Sequence, residues 1–164
     1  MVKALSRVLF GLYLLTLLWL LLFKISYDIP SILADHQTRS LNLVPFVGWG
    51  HTGVSETVSN VITFIPFGLL LGLSNRSAAL WRLLLIVFAF SVVVEALQFV
   101  LAIGTTDITD VITNTVGGLV GLMVYRLADK IINRKILDAV ITVTGLVLFV
   151  AFLLLRWLVL QVRY

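Results

Sequence analysis

The chain predicts an all-α fold: a polytopic membrane helical bundle with about five transmembrane helices and a cytoplasmic N-terminus. Three observations carry that expectation. Sixty per cent of the 164 residues are hydrophobic and only 12% are charged, with a mean hydropathy of +1.11. That composition leaves too little polar surface for a water-soluble domain of this size. The apolar residues fall into five runs, each near the ~20 residues that cross a bilayer as a helix. Basic residues are also unevenly shared between the two sides that such a path defines.

The runs are residues 5–23, 57–73, 83–103, 108–127 and 136–155. Together they consume roughly two thirds of the chain, so residues 1–164 read as one transmembrane domain. Leu5–Phe23 is leucine-rich and longer than a removable signal core. The second run is shorter and carries Asn60, Thr63 and Pro66, whose missing amide hydrogen predicts a kink and a released Ile62 carbonyl that, near Thr63, would face the same polar interior as Asn60. The third contains Ser91, Glu95 and Gln98, the fourth opens on Asp107 and Asp110 and holds Asn114, and the fifth is almost purely aliphatic. Gly68 with Gly72, and Gly117 with Gly121, have the small-xxx-small spacing that lets membrane helices approach closely.

Orientation follows from charge. With the N-terminus inside, the inner side receives Lys3, Arg7, Arg76, Arg82, Arg126, Lys130, Arg134 and Lys135. The outer side receives Lys24, Arg39, Arg156 and Arg163, so eight basic residues face four. The longest connection, residues 24–56, is then external. Its stretch from Ser40 to Gly50 is too apolar for a free loop, and predicts a segment lying on the outer interface or folding into the bundle mouth.

Several classes of chemistry are excluded or disfavoured. The chain has no cysteine, hence no disulfide, thiolate metal site or thiol nucleophile. His36 and His51 lack ligand spacing, so no metal is expected, and no cofactor-binding motif occurs. The net charge of +4 fits membrane orientation rather than nucleic-acid binding, because no basic stripe is interleaved with aromatics.

The polar residues inside the spans carry the functional signal. A charge near the centre of a spanning helix costs roughly 2.5–3.5 kcal/mol on insertion scales, so Glu95 should face a protein interior. Ser91 and Gln98 lie four before and three after it, on one helical face. Asp107, Asp110 and Asn114 share a face in the same way, while Asn60 sits near the outer start of the second span. Three helices therefore direct polar groups into one outer region, with Arg39 from the long connection as the available counter-charge for Glu95. Plainer roles stand beside this one. Asp107 and Asp110 suit a helix N-terminus, Asn60 and Asn114 suit interhelical hydrogen bonds, and Glu95 suits a hydrogen-bonded structural carboxyl.

These residues also carry a family resemblance. Arg39-Ser40-Leu41-Asn42-Leu43-Val44-Pro45-Phe46 is followed by Asn60 through Gly68, then Glu95-Ala96-Leu97-Gln98, then Asp107 through Gly118. In order and spacing this set resembles the VanZ-like family of bacterial membrane proteins, over a core of about residues 39–127. Members of that family often carry an arginine just ahead of the aspartate pair, where this chain has Gly104-Thr105-Thr106. The resemblance implies a multi-pass protein of the bacterial cell membrane. It also implies a link to the glycopeptide antibiotic teicoplanin, with which the family's name-giving member is associated. The combined expectation is an outward polar pocket formed by Arg39, Asn42, Phe46, Asn60, Ser91, Glu95, Gln98, Asp107, Asp110 and Asn114. Its partners would be the lipid bilayer and a lipid headgroup or cell-wall precursor. An intramembrane enzyme with Glu95 or Asp110 as general base, or a small transporter, are the alternatives; no nucleophile is identifiable.

Overall fold

The structure, a computed structural model, describes residues 2–23, 40–46, 51–102 and 105–163. Five helices dominate: α1 (Val2–Phe23), α2 (His51–Ser74), α3 (Leu80–Leu101), α4 (Ile108–Ile131) and α5 (Arg134–Arg163). Two three-residue strands, β1 (Ser40–Asn42) and β2 (Thr105–Asp107), precede α2 and α4 respectively. Each helix contains a stretch long and apolar enough to cross a membrane, as the hydropathy predicts.

The helices extend past the apolar runs because hydropathy marks where hydrocarbon begins, while backbone hydrogen bonding continues to a cap. α2 starts at His51 rather than near Thr57, adding a polar stretch with Ser55 and Glu56. α3 stops at Leu101, short of Ile103. There Ala102 turns left-handed (φ 53°) and its N–H bonds the carbonyls of Gln98 and Phe99, a common way for a helix to satisfy its last acceptors. α5 begins at Arg134, where the Asn133 side chain accepts from the Lys135 N–H at 3.0 Å.

The tightest packing joins α2 to α4, and glycine makes it possible. A methyl on Gly121 would lie 2.9 Å from the Leu69 nitrogen and 3.0 Å from the Gly68 Cα. One on Gly68 would collide with the Gly118 carbonyl, and one on Gly117 with that of Val61. Of the two small-residue pairs predicted from sequence, Gly68, Gly117 and Gly121 thus meet backbone across the seam, while Gly72 faces the ring of Tyr125. Around this seam Phe64, Phe67, Leu83, Val87 and Leu122 are fully buried, and Leu17 of α1 closes the cluster. Phe10 stacks on Phe67 (5.8 Å between centroids), and Phe90 meets the same ring edge-on at 5.1 Å.

The opposite faces are apolar and exposed, among them Leu85, Val93, Val120, Val147 and Leu153. Exposed aliphatic surface on every span is the pattern a lipid solvent demands. At the end of the bundle holding the α2–α3 turn, charges are neutralised locally. Arg76 pairs with Asp138, Asp129 with Arg134 at 3.3 Å, and Arg126 donates to the Ala78 carbonyl at 2.7 Å.

At the other end β1 pairs in parallel with β2, Ser40 opposite Thr105 and Asn42 opposite Asp107. The long connection therefore does fold back onto the bundle, through a strand pair that hydropathy could not reveal. Arg39 lies outside the described residues.

The seam generates a direct test. Gly68→Ala or Gly121→Ala should each destabilise the protein by about 1–3 kcal/mol through overpacking. Gly11→Ala, where an added methyl meets nothing within 4 Å, should unfold like the wild type. Thermal unfolding in detergent decides the matter.

Candidate functional site

The site begins with a depth. Glu95 lies six residues before the end of α3 at Leu101, hence about 9 Å along the helix from its terminus. It is 6% exposed. Ser91 and Gln98, on the same face, are buried to 0% and 4% exposure. α4 presents Asp110 and Asn114 toward this face, and α2 presents Asn60. All three helices thus turn their polar side chains inward, as the spacing predicts.

A polar cavity of about 260 Å³ lies between them, lined by Asn60, Glu95, Gln98, Asp110 and Asn114. Asn60 Nδ2 donates to Asp110 Oδ1 at 2.7 Å, tying α2 to α4 beyond the glycine seam. Below, Asn114 Nδ2 donates to Ser91 Oγ at 2.9 Å, tying α4 to α3. Ser91 therefore supports the floor and does not itself line the cavity.

Two groups of residues enter the site that sequence reasoning missed. Ser55, Glu56 and Ser59 line the cavity because α2 begins a turn and a half earlier than its apolar run; the Ser55–Ser59–Asn60 spacing was the available signal. α1 supplies Leu20 and Leu21. The Leu21 carbonyl accepts from Gln98 Nε2 at 3.0 Å, a bond that joins α1 to α3. Thr63 departs from expectation: its hydroxyl bonds the Ser59 carbonyl at 2.6 Å, and its residue faces α1 and α5 rather than this cavity.

The remaining predicted residues form an adjoining layer. Asp107 is the N-cap of α4, its Oδ1 accepting from the Thr109 N–H at 2.7 Å. Its Oδ2 accepts from Asn42 Nδ2 at 2.9 Å. Its own N–H donates to Glu95 Oε2 at 3.0 Å, and Thr106 Oγ1 bonds the Glu95 carbonyl at 3.3 Å. Glu95 is thus a structural acceptor for β2 as well as a wall of the cavity. Asn42 Oδ1 accepts from the Val44 N–H at 3.1 Å, forming a side-chain-closed turn. Phe46 adopts a left-handed backbone (φ 60°), and its N–H is fixed by Thr109 Oγ1 at 3.0 Å. Phe46 therefore acts here through its backbone, with a 42% exposed residue surface.

The chemistry on offer is acceptance. Gln98 Oε1 and Asn114 Oδ1 are buried and have no hydrogen-bond partner. The Gln98 amide cannot be turned to cure this, since the Leu21 carbonyl can only accept and holds the NH₂ end. A buried acceptor left unbonded costs about 1–3 kcal/mol. Both atoms belong to residues that line the same cavity, alongside the carboxyls of Glu56, Glu95 and Asp110. Such a site suits a group that brings N–H or O–H donors.

The Asp107 node is testable apart from any ligand. Asp107→Ala removes the cap and the Asn42 bond together, and should cost about 0.5–2 kcal/mol. Asp107→Asn keeps a capping oxygen but turns an amide toward Asn42. Hydrogen exchange over residues 40–46 should rise in both, while the unfolding midpoint should fall clearly only in the alanine variant.

Comparison with known proteins follows the same residues. No solved structure matches the chain. It is 50% identical over 154 residues to "Protein VanZ" of Enterococcus faecium, covering 94% of each chain. The family model VanZ/LLP1 matches residues 10–133, a span that takes in the cavity, the glycine seam and the strand pair. The chain belongs to the VanZ/LLP1 family.

Proposed function

We propose that this chain is a multi-pass protein of the bacterial cell membrane whose polar cavity faces outward and binds the polar part of an envelope component. By holding that component, it lowers susceptibility to glycopeptide antibiotics such as teicoplanin. The observation that carries the reading is the pair of buried amide oxygens of Gln98 and Asn114, unbonded among the described residues, in two side chains that line one cavity. Polar groups at membrane depth are expensive and are retained for a task. Here three helices and the end of a fourth converge to keep them there.

Outward orientation rests on the eight-to-four distribution of basic residues. On that orientation the cavity, Asp107 and the strand pair would lie on the extracytoplasmic side, where glycopeptides act on the envelope. The reading is one of binding. Carboxyls, amides and the serines Ser55 and Ser59 line the cavity, and among the described residues no hydrogen bond joins either serine hydroxyl to a base.

The test is genetic. A deletion strain should become more susceptible to teicoplanin within a panel of envelope-active antibiotics. Complementation with wild type should restore the original level. Gln98→Met and Asn114→Leu, which keep volume but remove the acceptors, should fail to restore it at equal protein abundance. Full rescue by both variants would sink the proposal.

A further inference from the structure

A second cavity adjoins the first and changes what the ligand must be. It is an apolar groove of about 390 Å³ between α1, α2 and α5, whose walls include Leu9, Leu17, Leu20, Pro66, Leu69 and Phe149. Leu20 lines both cavities. On α2 the boundary between them is one helical turn: Ser59 faces the polar cavity, Thr63 faces the groove, and the Thr63 hydroxyl bonds the Ser59 carbonyl. The polar and apolar spaces are thus consecutive along the same two helices.

The dimensions fit a hydrocarbon tail. From Leu20 to Leu9 the groove follows α1 for about 16 Å, close to the depth of one leaflet of a ~30 Å hydrocarbon core. Most of its polar features are closed off: Tyr13 donates its hydroxyl to the Thr63 carbonyl, and Thr16 bonds the Leu12 carbonyl at 2.9 Å. Thr63 bonds the Ser59 carbonyl, and among the groove's lining residues only the Thr144 hydroxyl adds a further polar group to an otherwise apolar wall. Immediately above it, Gln98 Oε1 and Asn114 Oδ1 ask for a polar occupant.

We infer that the two cavities hold one amphiphile, its donor-bearing head against Gln98 and Asn114 and its single hydrocarbon tail in the groove between α1, α2 and α5. This rests on the binding reading above and adds the class of ligand: a lipid-linked molecule whose head carries amine or hydroxyl hydrogens. A head without such hydrogens leaves both amide oxygens unbonded and is discriminated against.

The experiment uses the full chain in lipid nanodiscs, with hexadecyl glucosaminide and methyl glucosaminide as probes and tryptophan fluorescence as readout, Trp19 being next to Leu20. Thr144→Phe and Leu148→Phe fill the groove from exposed positions on α5 without adding a tryptophan to the readout, and neither the polar cavity nor the core is disturbed. Each should weaken hexadecyl glucosaminide by about tenfold, because in a hydrocarbon solvent packing alone favours the groove over bulk lipid. Neither should change methyl glucosaminide. Gln98→Met and Asn114→Leu should weaken both probes. If the plugged variants bind hexadecyl glucosaminide as the wild type does, the tail lies elsewhere and the inference fails while the polar site stands. If neither probe binds the wild type, both readings fall. If plugging alters self-association and leaves both probes unaffected, the groove takes a helix of a second copy and the tail assignment is overturned.

Discussion

Everything at the polar end depends on how closely α2 and α4 approach. Glycine faces backbone at Gly68, Gly117 and Gly121, so the two helices meet without intervening side chains. That contact brings Asn60 within 2.7 Å of Asp110. Were the helices held apart by ordinary side chains, Asp110 would lose its amide donor from α2, and Ser59 and Asn114 would no longer flank one space. In a bilayer this geometry cannot come from hydrophobic driving force, because lipid tails are as apolar as leucine. It comes from shape, and shape is what the missing Cβ atoms provide.

Hydrocarbon imposes the second constraint. Each polar group near the membrane must find a partner within the protein. Several do so near chain ends: Asp107 caps α4, Gln98 donates to the Leu21 carbonyl of α1, and Glu95 accepts the N–H of β2. These bonds link α1, α3, α4 and the strand pair into one network. Within it, Glu95 contributes to the fold and to the cavity by different edges. Charge replacement there would therefore loosen β2 as well as alter the wall, whereas Gln98 and Asn114 each hold a buried acceptor that no bond among the described residues uses.

Much of this was legible in the sequence, for identifiable reasons. The five spans follow from apolar run length, and the glycine seam from spacing alone. The convergence of Asn60, Glu95, Gln98, Asp110 and Asn114 follows from helical periodicity, because residues three and four apart must share a face. Hidden from that reasoning were features that polarity does not encode. Ser55, Glu56 and Ser59 are polar residues in a helix that continues beyond hydrocarbon. Leu21 contributes a backbone carbonyl, which no side chain advertises. β1 and β2 are only three residues each, too short for a period-two pattern, and are held by Asn42 and Asp107 across a long separation in sequence.

Pro66 shows how a local defect joins these levels. Proline removes one rung of α2 and crowds the carbonyl of Ile62, in the stretch where the helix passes from polar neighbours to apolar ones. The sequence pointed the disturbed carbonyls toward a polar interior. The structure instead turns Thr63 and Pro66 to α1 and α5, and brings the Tyr13 hydroxyl onto the Thr63 carbonyl. The carbonyl that Pro66 deprives of its helical donor is that of Ile62, one residue before the one Tyr13 serves; the Tyr13 bond instead ties α1 to α2 beside the proline, through a residue whose ring remains compatible with an apolar groove. The site is bounded accordingly: its polar half by side chains that satisfy one another at helix ends, and its apolar half by a tyrosine bond that joins α1 to α2 next to the proline.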